Sequence, residues 1–496
     1  MSAGNFVAAC LPSITNHLRL GIQDNPETLS SENINKFLKN NVNKMLSSVG
    51  LNLSKGKKLN NNIIDNYIKK YLNYFHSMSF LNELEFIIDS GGFQIQQGYL
   101  MTEDIPKFID LYYEDFMINY SNMYNYAFNL DIAPGASYCP FKTKEEMYEL
   151  NKYSFSKAKI IPKEAREKLI YIHHFRTPSI HDIYKKLLFE DDLANGIPNF
   201  STGGLVSFSK SLDSPCILYI IPLLDIIHYC KEKNINKFRF HVLGGSEWRE
   251  ILGHKFLEKH IKEVLGLDIT ITFDSSTFFK GVCMGRYFYV PCDNNIVQKL
   301  SFKQTDLTND NKICLFTGEN FSGSFREIFY QLCNEFLKDY NMPLIDNELE
   351  PIYNKKGSLT RSVYVYMIMQ TLRTFNLVEK WCEKFVNDNY SYYNSDEYMF
   401  NSNVEEMMIK LSGASGINLR KMYNKSNAVY NSLKMIDEYK NNPQKTIEKC
   451  SNIVKNYLST DDNIGKNEID LDIDIEKNKK NKRVLGRYKN QDVNFF

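Results

Sequence analysis

The sequence lacks the features that mark secreted, membrane-spanning and strongly charged proteins. Its 10 cysteines form no Cys-x-x-Cys pair, and no apolar run approaches the length of a membrane span. No basic segment followed by an apolar one, as in a secretory signal, opens the sequence. We therefore expect a cytoplasmic protein with free thiols and no membrane contact.

An excess of charge of either sign is also missing. The 60 Lys and Arg residues almost balance the 59 Asp and Glu residues, which leaves a net charge of +1. Any surface for nucleic acid must therefore be a local patch. The longest charge blocks lie at the end, where an acidic stretch (461–476) precedes a basic one (477–489). We expect residues 461–496 to be a disordered, solvated tail.

The first 300 residues show a repeated alternation of strand-like and helix-like segments. Short apolar runs end in polar or glycine residues near Asp89, Asp131, His173–His174, Gly245 and Asp274. A further apolar stretch, 203–208, lies between the third and the fourth of these ends. Amphipathic segments separate these runs, and strand-then-helix repeats build parallel sheets. The sequence predicts an α/β fold with a (β/α)8 TIM-type barrel over residues 1–300, with an open doubly wound sheet as the alternative. In both, the polar strand ends meet in one pocket.

The character of the chain changes near residue 300. Strand rhythm fades, and helical periodicity appears in 363–378, 404–411 and parts of 427–458. We expect a mainly helical accessory domain over residues 301–460.

Two acids at predicted strand ends suggest glycosyl chemistry. Asp89 opens the run Asp-Ser-Gly-Gly-Phe-Gln, and Asp274 ends a strand far downstream. One carboxylate can attack an anomeric carbon while the other handles a proton. The glycines and Phe93 suit a flat heterocycle, which points to a nucleobase. Paired acids at such strand ends also serve metal enzymes and sugar hydrolases.

Five segments resemble, in order, the motifs of the tRNA-guanine transglycosylase superfamily. They are Asp89–Gln94, similar to the DSGG(F/Y)Q signature; Asp131; Gly203–Val206, similar to the GGL/GGV loop; His241–Gly245, similar to an H-x-x-G strand end; and Phe273–Ser276, similar to the FDS segment. The matches span residues 85–290 and are more specific together than singly.

The resemblance implies a pentosyltransferase that exchanges a base without cutting the strand. Asp274 would be the nucleophile at C1′, and Asp89 the general acid and base. Ser90 and Asp131 would bind the base edge, Gly204 would offer a backbone contact, and Phe93 would stack on the ring. The implied substrate-binding set is Ser90, Gly91, Gly92, Phe93, Gln94, Asp131, Gly203, Gly204 and Leu205. The resemblance implies no cofactor.

Departures from the tRNA enzymes favour the DNA 7-deazaguanine transglycosylase branch found in phages and bacteria. Those tRNA enzymes carry a zinc motif, C-x-C-x-x-C followed by a histidine, after the nucleophile. Here Cys283, Cys292, Cys314 and Cys333 are widely spaced and no histidine follows His260, which argues against structural zinc. We expect no metal, DNA and a 7-deazaguanine base as substrates, and a bacterial or phage-infected host cytoplasm. An oligomer or a partner protein is compatible with this.

Several further residues near the strand ends are candidates for substrate contact. His173 and His174 stand where the family has Gln-Gly; each is either a satisfied buried histidine or a contact to the base or sugar-phosphate. Candidate phosphate contacts are Arg176, Lys210, Lys280 and Arg286. Two alternatives stay open: the same exchange on tRNA, and a catalytically silent paralogue that binds nucleic acid or a partner.

Overall fold

The structure is a computed structural model, and its description covers most of the sheet and of the C-terminal helices. The described residues are 5–6, 32, 36, 44–53, 58–73, 85–134, 139–175, 177–203, 216–244, 248–274, 282, 286–292, 295–300, 306–307, 323–324, 331, 334–335, 337–338, 361–412 and 419–457. The predicted tail, 461–496, lies outside them.

A parallel sheet forms the first part of the protein. Its strands are β1 (Asn5–Phe6), β2 (Lys44–Ser48), β3 (Glu85–Asp89), β4 (Tyr126–Phe128), β5 (Leu169–His174), β6 (Asn199–Gly203), β7 (Lys237–Val242) and β8 (Asp268–Asp274). Their order is β1-β8-β7-β6-β5-β4-β3-β2, so β2 to β8 are neighbours in sequence order and the two-residue β1 adds to β8. All pairings within the sheet are parallel.

The sheet is strongly curled. Strands β3 and β7 are four positions apart, which in a flat sheet would separate them by about 19 Å. Nevertheless Arg239 on β7 forms a salt bridge with Glu85 on β3. The rings of Phe128 on β4 and His241 on β7 lie 5.2 Å apart. The concave side holds its own apolar cluster, formed by Leu46, Ile87, Phe128, Ile170 and Ile172.

The prediction of a closed (β/α)8 barrel is confirmed only in part. The α/β class and the curled parallel sheet are confirmed, but no strand pairing joins β1 to β2 among the residues that the structure describes. The result is a half-barrel of seven strands with a short addition at one edge. Strand β1 is only two residues long, which leaves few backbone groups to close the ring.

Helices alternate with the strands, and most of them pack on the convex side of the sheet. They are α1 (Ile63–Tyr67), α2 (Gly92–Gln96), α3 (Ile105–Asp110), α4 (Lys144–Lys157), α5 (Lys163–Arg166), α6 (Pro178–Lys185), α7 (Ile220–Glu232) and α8 (Trp248–Leu265). The π-helical segments Ile68–Leu72, Leu111–Met117 and Lys186–Glu190 extend α1, α3 and α6.

Local sequence explains where two of these helices begin. Thr143 caps α4 by accepting a hydrogen bond from the amide of Glu146, whose carboxylate accepts one from the amide of Lys142. The Thr177 hydroxyl caps α6 by accepting a hydrogen bond from the amide of Ile180. Pro178 follows as the first helical residue, where an N–H would have no partner within the helix.

Long helices follow the sheet, as predicted for the C-terminal part. An antiparallel hairpin, β9 (Phe288–Cys292) and β10 (Ile296–Leu300), precedes α9 (Arg361–Ser395), α10 (Glu397–Ser412), α11 (Leu419–Asn441) and α12 (Pro443–Tyr457). Two short paired strands, β11 (Asp306–Leu307) and β12 (Gly323–Ser324), lie between.

The C-terminal helices share one hydrophobic core with the sheet region. The ring of Trp248 lies 4.4 Å from that of Phe375, and Phe256 packs 5.0 Å from Phe400. The amide of Ile217 donates to Ser432 at 2.8 Å. The predicted domain boundary near residue 300 stays a prediction. No helix in the described part of the chain has both the length and the apolar character needed to cross a membrane.

Candidate active site

The pleat of each strand decides which side chains reach the concave side of the sheet. In β5, Ile170 and Ile172 belong to the concave cluster, whereas Leu169 and Tyr171 belong to the core under the helices. Because side chains alternate along a strand, His174 faces the concave side and His173 faces the helices.

Asp89 ends β3 in a partly buried, weakly hydrogen-bonded position. Its partner in the sheet register is Ser48, the last residue of β2. The amide of Gly91 approaches its Oδ1 atom at 3.4 Å. Burial raises the pKa of Asp89 to about 6, against smaller opposing effects of hydrogen bonds from Ser48 and Gly91. The charges of Asp131 and Asp274 raise this pKa further, which places all three acids in one electrostatic site.

Asp274 ends β8 and is held by two donors. Its Oδ1 accepts a hydrogen bond from the amide of Gly244 at 2.9 Å, and Nε2 of His241 lies 3.4 Å from the same oxygen. Nδ1 of His241 lies 2.8 Å from Oγ1 of Thr272. Two donors on one oxygen stabilise a carboxylate and fix its direction. Asp274 is therefore held differently from Asp89.

Asp131 and His174 form a buried pair on the concave side. Nε2 of His174 lies 2.5 Å from Oδ2 of Asp131, which places a proton on that nitrogen when the carboxylate is ionised. Two glycines make room for the pair. A Cβ atom on Gly92 would lie 2.6 Å from Oδ1 of Asp131, and one on Gly203 would lie 2.5 Å from Cε1 of His174.

The turn after Asp89 presents the other predicted base-binding residues. Gly91 has a φ of 94°, which favours glycine, and it precedes the short helix α2. Ser90 is fully buried, and its hydroxyl has no hydrogen-bond partner within the described part of the protein. Phe93 is 49% exposed, while Gln94 accepts a hydrogen bond from Ser48 at 3.4 Å. The turn after Asp89 thus carries a hydroxyl without a partner, at Ser90, and an exposed aromatic ring, at Phe93.

The structure separates His173 from the rest of the predicted set. Nε2 of His173 lies 3.2 Å from Oδ2 of Asp225 on α7, and its ring stacks on that of His181 on α6. This contact lies between the sheet and the helices. The expected direct role of His173 in substrate binding is not supported by its position, because the pleat turns it away from His174.

Several predicted residues lie outside the described part of the chain. These are Gly204, Leu205, Arg176, Lys210 and Lys280, as well as Cys283, Cys314 and Cys333. Of the remaining candidates, Arg286 is exposed and Cys292 is buried in β9. The set that the structure brings together on the concave side is Asp89, Gly92, Asp131, His174, Gly203 and Asp274.

Sequence reasoning missed the residues that support the acids. The sequence of strand β2, Lys-Met-Leu-Ser-Ser, lies in a polar region and does not predict a strand. The position of Ser48 beside Asp89 therefore could not be predicted. His241 stood in a recognised motif, but its contact with Asp274 was not predicted. Period-2 alternation across β7 and β8 would have placed His241, Thr272 and Asp274 on one face.

Comparison with known proteins adds no relative. The chain matches no protein-family model, and no curated protein is significantly similar to it in sequence.

Proposed function

We propose that this protein is a DNA-guanine transglycosylase, which replaces guanine in DNA with a 7-deazaguanine base through a covalent glycosyl-enzyme intermediate. The observation that carries the proposal is the unlike setting of two acids in one site. Burial raises the pKa of Asp89 to about 6, so it can hold and release a proton near neutral pH. Asp274 instead receives hydrogen bonds from Gly244 and His241, as suits a carboxylate nucleophile.

In the first half-reaction, a carboxylate oxygen of Asp274 attacks C1′ of the target deoxyguanosine. The C1′–N9 bond breaks, its electron pair leaves with guanine, and the base takes the proton of Asp89. The product is a glycosyl ester on Asp274 with an intact phosphodiester backbone. Attack from the face opposite the base inverts C1′.

In the second half-reaction, a 7-deazaguanine base, such as 7-cyano-7-deazaguanine or a derivative, replaces guanine. The carboxylate of Asp89 takes the N9 proton while N9 attacks C1′. The ester bond breaks, and its electron pair returns to Asp274. A second inversion restores the original configuration, and Asp89 is again protonated for the next turnover. The exchange consumes no cofactor.

The residues around the acids suit a flat, hydrogen-bonding base. The exposed ring of Phe93 offers a stacking surface to a nucleotide that has left its helix. The buried hydroxyl of Ser90 gains a partner if a base edge reaches it. Asp131 keeps one oxygen for the base, since His174 occupies the other.

DNA is favoured over tRNA by the sequence alone. The zinc motif that the tRNA enzymes carry after the nucleophile is missing, as no histidine follows His260. The same chemistry on tRNA is the second candidate. A silent paralogue is less favoured, because Asp89 and Asp274 both stand in the site with separate supporting contacts.

Purified protein should be incubated with duplex DNA or with tRNA, each carrying radiolabelled guanine, and with 7-cyano-7-deazaguanine. We expect release of guanine from DNA and the matching deazaguanine nucleoside by mass spectrometry of the digested DNA. Release from tRNA alone would select the second candidate. Release from neither, with DNA bound equally by the protein and by its Asp274→Asn variant, would select the silent paralogue.

A further inference from the structure

A second cluster of polar side chains lies between the sheet and its helices, away from the proposed active site. It consists of His173 on β5, His181 on α6 and Asp225 on α7, and all three are buried. Three separate elements converge on it. Because His173 and His174 point to opposite faces of β5, the cluster and the proposed active site are on opposite sides of the sheet.

The donor atoms of the cluster are close together. Oδ2 of Asp225 lies 2.7 Å from Nε2 of His181 and 3.2 Å from Nε2 of His173. One ligand atom from each of the three residues lies within 4.8 Å of the others. Bonds of about 2.1 Å in tetrahedral geometry separate neighbouring ligand atoms by roughly 3.4 Å. Small rotations of the His181 ring would therefore fit the cluster around one ion.

We propose that His173, His181 and Asp225 form a structural binding site for a divalent transition-metal cation, with Zn²⁺ as the ion that fits best. Two imidazole nitrogens and one carboxylate oxygen are ligand types that zinc accepts. Alkaline-earth cations prefer all-oxygen sites and do not fit. A water molecule or the second oxygen of Asp225 completes the coordination.

Two charged side chains beside the cluster affect metal binding, one favourably and one unfavourably. Oδ1 of Asp182 lies 3.6 Å from Nδ1 of His181, where a carboxylate typically orients a metal-binding imidazole. Nζ of Lys185 lies 3.0 Å from Oδ1 of Asp225 and repels a cation. The side chain of Lys185 is 28% exposed, so its ammonium group has access to solvent when the ion binds.

The site ties α6 and α7 to the end of β5. The residue after His173 is His174, whose ring contacts Asp131 in the proposed active site. A bound ion would thus fix the strand end that carries His174. The proposal does not depend on the proposed base exchange, and metal binding is measured without a nucleic-acid substrate.

The test uses the whole 496-residue chain, stripped of metal with a chelator and dialysed. Titration with ZnCl₂ by calorimetry should give one site per chain, and the melting temperature should rise with zinc, because an ion that binds only the folded state stabilises it. Loss of an outer-shell partner typically weakens metal binding by about 10- to 100-fold. His181→Gln removes a ligand and should therefore weaken zinc binding by more than that.

Two further variants separate this site from other zinc binding. Lys185→Met removes the opposing charge and should tighten zinc binding by roughly tenfold or more. His228→Gln is the matched control, because His228 is a partly exposed histidine on the same helix as Asp225, 3.5 Å from Glu232. It should bind zinc as the unaltered protein does.

Equal zinc binding by the unaltered protein and folded His181→Gln would overturn the proposal, as would loss of binding in His228→Gln alone. If His181→Gln does not fold, Lys185→Met decides. If Lys185→Met binds zinc with the same affinity as the unaltered protein, or if neither of these two proteins binds zinc, the proposal is wrong. The cluster is then only a network of hydrogen bonds and ion pairs.

Discussion

Nε2 of His241 lies 3.4 Å from Oδ1 of Asp274, while Nδ1 of the same ring lies 2.8 Å from Oγ1 of Thr272. His241 and Thr272 are register partners on β7 and β8. When Thr272 donates to Nδ1, the ring proton is on Nε2 and faces the carboxylate. His241 thus positions Asp274, the nucleophile of the proposed reaction.

The first prediction concerns Asp274 itself. Asp274→Asn keeps an oxygen for the amide of Gly244 but removes the negative charge. We expect folding to be retained and guanine release to fall below detection, since an amide does not attack C1′. The covalent DNA adduct, assayed on a denaturing gel, should also disappear. An adduct in the variant would assign the nucleophile elsewhere.

The second prediction tests the support of His241. Thr272→Val removes the hydroxyl at Nδ1 and leaves the ring free to change tautomer. Loss of one such hydrogen bond, about 1 kcal/mol, should lower kcat about fivefold with little change in KM. Thr272→Ser should restore kcat. A purely structural role for Thr272 would instead lower the melting temperature and leave kcat of the folded fraction unchanged.

The parallel sheet and the place of the acids could be predicted from the sequence because they depend on local pattern. Apolar runs bounded by glycine and polar residues marked β3, β5 and β8, with ends within one residue of those in the structure. Parallel strands bring their carboxyl ends to one edge, which places Asp89 and Asp274 in the same site.

The remaining features of the fold and of the site depend on long-range contacts, which a local sequence pattern does not predict. Strand β2 begins with Lys44, which is 2% exposed, and burial lowers the pKa of this lysine despite the nearby charge of Glu85. No single-sequence rule places a buried lysine in a strand. The adjacent His173 and His174 end one predicted strand, but the pleat sends their side chains to opposite faces of the sheet. Closure of the ring depends on register between distant edges.

The third prediction is the pH dependence of guanine release. Release requires the proton of Asp89, whose pKa is about 6. In a single turnover without incoming base, the rate should be constant below about pH 5, should halve near pH 6 and should fall about tenfold per pH unit above pH 7. Addition of the deazaguanine base to the isolated adduct should show the opposite trend, since it requires the carboxylate. A rate of release that rises with pH would exclude Asp89 as the acid.

The fourth prediction concerns Phe93. Base stacking on an aromatic side chain contributes about 1–3 kcal/mol. Phe93→Ala should therefore raise KM for DNA roughly 5- to 150-fold, while the melting temperature changes little, because this ring is 49% exposed. Tyr398→Ala is the control, since Tyr398 is 79% exposed on α10. Equal effects of the two changes would remove the stacking role from Phe93.

The last prediction links the proposed acid to stability. The pKa of Asp89 is about 6 in the folded protein, against an ordinary value of 3.8. Folding therefore disfavours the charged form, and the contribution of Asp89 to stability is complete below pH 3.8 and is lost as the pH rises through 6. At pH 8 the cost reaches about 3 kcal/mol.

Asp89→Asn removes that charge and keeps an acceptor for the amide of Gly91. We expect the variant to lose base exchange and yet to have a higher free energy of unfolding than the unaltered protein at pH 8, by up to about 3 kcal/mol. The difference should shrink to a few tenths of a kcal/mol at pH 4, where Asp89 is neutral in the folded protein. Urea unfolding at both pH values measures it, with the exposed Asp115→Asn as control. A variant that is less stable at pH 8 would show that the carboxylate of Asp89 holds the turn together, and that burial is not what sets its pKa.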